Sequence, residues 1–140
     1  MLMPQKDKPS LNFILLNKMH PIWVIISYSC IIICGPKMCG LWFLSILYGL
    51  FFLESLFCSI PAITGILLIG IEVVNPKKQS KKRRYLGLVF MYVGLISYFL
   101  REDASYNFNT FREIEPLIGI FCFIITSILF YIATLQKLKK

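Results

Sequence analysis

The stretch "LWFLSILYGLFFLESLFCSIPAITGILLIGIEVV", Leu41 to Val74, runs for 34 residues with no basic side chain and only two carboxylates, Glu54 and Glu72. At about 1.5 Å per residue one helix over it would reach roughly 51 Å, far beyond a hydrocarbon core of roughly 30 Å. Two spans and a turn would need more residues than it holds. The stretch therefore predicts one long helix that crosses a bilayer with tilt or overhang, kinked at Pro61, where a backbone donor is missing.

The rest of the chain agrees with a membrane setting. Of 140 residues 57% are hydrophobic, 15% aromatic and only 16% charged, with a mean hydropathy of +0.71, too apolar for a soluble domain of this length. Further apolar runs place spans at about 20–35, 41–74, 85–100 and 116–136. The expected fold is all-α, a single polytopic domain of four transmembrane helices. Leu11 to Met19, broken by Asn17 and Lys18 just before His20 and Pro21, reads as an interfacial N-terminal segment. Its apolar part is short and no small-residue cleavage site follows, so it is expected to be retained rather than removed as a signal.

Local signals mark the ends of the runs. Asn75 and Pro76 close the second helix, and Gly35 and Pro36 turn the chain after the first. Glu113, Glu115 and Pro116 open the fourth, with carboxylates at the positive end of the helix dipole. Lys137, Lys139 and Lys140 sit at its negative end.

Charge sets the expected orientation. With four spans, both termini and the connection "NPKKQSKKRRYLG" share one side, which then holds twelve Lys and Arg residues; Lys37, Arg101 and Arg112 alone fall on the other. That bias places both termini in the cytoplasm, in a membrane of bacterial inner-membrane type. Lys77, Lys78, Lys81, Lys82, Arg83 and Arg84 form a cluster that can orient the chain, touch anionic lipid headgroups or dock a cytoplasmic protein. Direct nucleic-acid binding is disfavoured, because no aromatic side chains interleave the cluster.

Inside the apolar runs, Glu54 has thirteen apolar or small residues before it, a depth at which an ionised carboxylate costs about 2.5 kcal/mol or more. It is expected to face other helices or a second protomer, with an ion pathway as the rival reading. Glu72, one turn before the basic connection, is expected to pair with Lys77, Lys78 or Arg84. Ser55, Ser59, Ala62 and Gly65 on the second helix, and Gly87, Gly94 and Ser97 on the third, mark faces suited to close approach. Pro61 with its small neighbours could alternatively open carbonyls toward a polar cavity, as in carriers.

Five cysteines, Cys30, Cys34, Cys39, Cys58 and Cys122, give no CxxC pair, and His20 is the single histidine. Cys34 and Cys39 bracket the outer turn at a separation that admits a disulfide; apolar packing is the other reading. No metal or cofactor is expected. No nucleophile motif, phosphate loop or HExxH is present, and the chain is read as a non-enzyme. The outer loop "REDASYNFNTFREIE" carries Tyr106, Phe108 and Phe111, readable as interface anchors or as a recognition surface.

In gross organisation, with four spans, both ends cytoplasmic, a basic inner loop and a short outer loop, the chain resembles the membrane subunits of bacterial phage-defence systems such as Kiwa. The resemblance is one of topology. It implies a sensor at the envelope that works with a cytoplasmic DNA-binding partner. The expected function is a homo-oligomeric membrane sensor or scaffold that contacts lipid and docks a cytoplasmic protein. The alternatives are a small channel or carrier, or an accessory subunit of a larger membrane complex.

Overall fold

The computed structural model describes residues 20–34, 39–53, 55–75, 80–101 and 110–137. The expected interfacial segment before His20 lies outside the described residues, as do Glu54, Lys77, Lys78, Tyr106 and Phe108. The described chain is mostly helical. Its elements are α1 (Pro21–Ser29), β1 (Ile32–Cys34), β2 (Cys39–Leu41), α2 (Trp42–Phe51), α3 (Leu56–Val74), α4 (Lys81–Phe99) and α5 (Ile114–Lys137). Two of them, α3 and the Ile114–Gln136 part of α5, are long and apolar enough to cross a membrane.

The single long helix expected over Leu41 to Val74 is instead two helices, and the break is not at Pro61. The Phe52 amide donates to the Tyr48 carbonyl to close α2, and Leu53 then turns through a positive φ of 56°. The Ser55 carbonyl accepts from the Cys58 and Ser59 amides to start α3. The reason is length. The 19 residues of α3 reach roughly 28 Å on their own, about the thickness of a bilayer core. The surplus turns aside and packs back: a Cβ added at Gly49 of α2 would collide with the hydroxyls of Ser55 and Ser59. Pro61 lies within α3, and the helix continues past it.

The first span also departs from expectation, since α1 ends at Ser29 rather than near residue 35. His20 caps it, its Nδ1 accepting from the Ile22 amide at 3.3 Å, and Pro21 occupies the first turn. Beyond Cys30 comes Ile31-Ile32-Ile33, a β-branched run that favours extended backbone. Strand β1 pairs antiparallel with β2, Ile32 opposite Leu41 and Cys34 opposite Cys39, and a Cys34–Cys39 disulfide ties the hairpin.

Helix and strand together pack antiparallel against the first half of α5. The Ser27 and Thr126 hydroxyls are 2.7 Å apart, the Tyr28 ring lies 4.9 Å from Phe123, and a Cβ on Gly119 would touch the Ile31 backbone at 3.3 Å. The Cys34 amide donates to Thr110, just before α5 begins. The nine residues of α1 at about 1.5 Å and the three of β1 at about 3.3 Å, joined by a turn at Cys30 and Ile31, reach roughly 23 Å, short of a full membrane helix.

A second antiparallel pair is formed by α3 and α4, and here the small residues do what their spacing predicts. A Cβ on Gly65 would lie 2.7 Å from the Gly87 carbonyl and 2.8 Å from the Met91 amide nitrogen; one on Gly94 would meet the Ala62 backbone at 2.8 Å. The helices touch backbone to backbone. Tyr28 joins the two pairs: its ring packs edge-on to Trp42, and its hydroxyl donates to the Met91 carbonyl at 2.8 Å.

Candidate docking site at the basic end

Where α3 ends and α4 begins, one buried carboxylate organises the connection. Glu72 is 2% exposed; its Oε2 accepts from Arg84 Nε at 2.5 Å and its Oε1 from the Ser80 amide at 3.0 Å. Arg84, itself 4% exposed, donates from an Nη to the Thr134 hydroxyl of α5 at 3.2 Å and lies over the Phe130 ring, 5.2 Å from its centroid. Thr134 in turn donates to the Phe130 carbonyl one turn back. The carboxylate thus satisfies a backbone donor of the α4 start and a guanidinium that ties three helices together.

This arrangement splits the expected cluster. Arg84 is not a contact for lipid or a partner, because Glu72 neutralises it inside the protein. Lys81, Lys82 and Arg83 lie in the first turn of α4, which begins four residues earlier than the span expected from residue 85. Lys and Arg are good helix formers, and the Glu72 anchor on Ser80 fixes the start. Lys82 is exposed. Cations at a helix N-terminus oppose the macrodipole, each disfavoured by about 0.3–1 kcal/mol, and the first turn of α4 contains no acidic residue.

Beside this turn, α4 and α5 diverge around an open groove of about 530 Å³. Val89, Val93 and Ile96 line it from α4 and Ile128 from α5. Tyr92 and Ser127, whose hydroxyl oxygens are 2.5 Å apart, also line it, and the Tyr85 and Tyr131 rings, 5.2 Å apart, stand at the end nearest the basic turn. Sequence reasoning did not find this groove, since it depends on how far two helices separate.

The remaining expected positions are dispersed. Pro61 is half-buried within α3, far along the helix from Glu72, and nothing brings it to the basic end. Phe111 packs on Phe99 with centroids 4.7 Å apart, in the manner of an anchor at the opposite end of the helices. Among the described residues no group of three or more His, Cys, Asp or Glu side chains could hold a metal ion. Comparison with protein-family models, with curated proteins and with solved structures returned no match.

Proposed function

We propose that the chain is a membrane-embedded scaffold or sensor subunit that presents its basic connection, Lys77 to Arg83, to an acidic surface on a cytoplasmic partner. The observation that carries this reading is the buried Glu72–Arg84–Thr134 cluster, which fixes the end of the connection to a rigid helix pair while leaving Lys82 exposed. The reading takes four crossings, α1 with β1, then α3, α4 and α5, of which α3 and α5 are long and apolar enough to span on their own. The charge bias then orients both termini inward. The topological resemblance to phage-defence membrane subunits makes an envelope sensor the natural setting.

The test replaces Lys77, Lys78, Lys81 and Lys82 by Gln together. Eight inner cations against three outer ones remain, so insertion is expected to persist. Crosslinking in intact membranes should then recover no partner, and wild-type recovery should fall as salt rises because exposed charge pairs are screened. Undiminished, salt-independent recovery by the variant would sink the docking reading and leave the cluster as an orientation signal.

A further inference from the structure

We infer that the Cys34–Cys39 disulfide is an exchange site for a dithiol oxidoreductase on the outer side of the membrane, attacked at Cys39 and, once reduced, releasing strand β2. The inference rests on the outer placement of the hairpin proposed above and not on a cytoplasmic partner. Its starting point is that the two cysteines are unequally presented. Cys34 is 4% exposed, whereas Cys39 is exposed along with Gly40 and Leu41, the rest of its strand. Disulfides within reach of outside thiols are the exchangeable ones, and buried ones resist reduction.

The two strands are also unequally held. The buried Thr110 hydroxyl accepts from the Cys34 amide at 3.1 Å and donates to the Cys34 carbonyl at 3.3 Å, and Ile33 beside it is buried. Strand β1 therefore keeps its seat whatever happens to its sulfur. Strand β2 has no comparable seat among the described residues, and a Cβ on Gly40 would find nothing within 4 Å. It is held by its ladder to β1, continued where the Trp42 amide donates to the Ile31 carbonyl at 2.7 Å, and by the disulfide. A two-stranded ribbon is marginal by itself, so the covalent link decides whether β2 stays paired.

The exchange balances as two displacements. One thiolate of the oxidoreductase attacks Cys39 Sγ, forming a mixed disulfide and expelling Cys34 as a thiolate, which takes up a proton. The second thiol of the oxidoreductase gives up its proton and attacks its own partner sulfur in the mixed disulfide, expelling Cys39. Two electrons have then passed to the chain, whose cysteines end as thiols, and the oxidoreductase leaves as a disulfide. Because β2 runs directly into α2, the release reaches the first turn of that helix.

The experiment uses the purified full chain in micelles, with reduced thioredoxin as the probe and alkylated peptides read by mass spectrometry. Thioredoxin should open the Cys34–Cys39 link well below the temperature at which the helices melt. Persistence of the link until the chain melts would overturn the proposal. The point of attack is read with a single-cysteine thioredoxin carrying an activated disulfide: Cys34→Ser should couple through Cys39 roughly tenfold faster than Cys39→Ser couples through Cys34. Equal rates, or faster coupling at Cys34, would overturn the assignment of Cys39.

Hydrogen exchange supplies a readout that an accessible but purely structural link would not move in this pattern. Closing so short a loop is worth a factor of roughly forty in the chain-entropy model, so reduction should speed exchange of the Trp42 amide by up to that factor and leave the amides of α3 and α4 unchanged. Unchanged exchange at Trp42 would overturn the release of β2, and faster exchange throughout would make the link a staple of the whole fold instead. Placement is tested apart from these. A charged phosphine that cannot cross membranes should reduce the link in intact cells; resistance there of a link that thioredoxin removes from the purified chain would refute the outer position of the hairpin, and with it the outer-side enzyme.

Discussion

Arg84 shows how much depends on one ion pair. Removing a single partner of a buried pair leaves the other charge uncompensated, which costs about 3–5 kcal/mol, whereas replacing both by apolar residues of similar volume is often close to neutral. Glu72→Leu should therefore destabilise the chain severely in a detergent melting experiment, and Glu72→Leu with Arg84→Met should recover most of the loss. If the double variant is as unstable as the sum of the single ones, the two residues do not act as a pair. Thr134→Val removes only a neutral partner of Arg84 and should cost about 1–3 kcal/mol. Pairing of Glu72 with the basic residues just beyond it was legible in the sequence, because both flank the same turn. The part played by Thr134 was not: it is 50 residues from Arg84 along the chain, and a threonine in an apolar run gives no sign of which helix will bring it a guanidinium.

The close contact of α3 and α4 makes a sharper prediction than the burial of any one side chain. Gly65→Ala and Gly94→Ala each place a Cβ less than 3 Å from the backbone of the other helix, where no rotamer change can relieve the overlap. Each should lower stability by about 1–3 kcal/mol. Gly40→Ala, with no neighbouring atom within 4 Å, serves as the control and should leave the melting temperature almost unchanged. An unaffected Gly94→Ala would mean that the helices stand farther apart than described. Small residues at helical spacing made this face readable in advance, and Asn75 correctly marked where α3 stops. The break at residues 52–55 was not readable. It falls at the sequence Phe-Leu-Glu-Ser, without glycine or proline, while Pro61 offers a stronger local signal at a place where the helix continues. What decides is the fit of α3 to its surroundings and the seat of Gly49 on Ser55 and Ser59, both properties of the folded state.

The disulfide bears on how the entire chain is oriented. Disulfides persist in oxidising compartments and are rare in the cytosol, so the Cys34–Cys39 link supports the proposed placement of the hairpin outside, on chemistry independent of the charge bias. Peptide mapping without reduction should recover the Cys34–Cys39 link, and tags at Met1 and Lys140 should both be shielded from protease added outside intact cells. Tags on opposite faces would remove the four-crossing arrangement. The same orientation bears on the backbone contact between α3 and α4. Backbone contacts at Gly65, Gly87 and Gly94, with Ile69 and Met91 packed beside them, hold the pair together along a helix about 28 Å long. The Trp42 ring rests against Tyr98 at one end of it, 5.1 Å between centroids, and Glu72 grips Arg84 at the other. Because Trp42 follows β2 directly, the disulfide-tied hairpin and the basic turn are joined through the two ends of one helix pair.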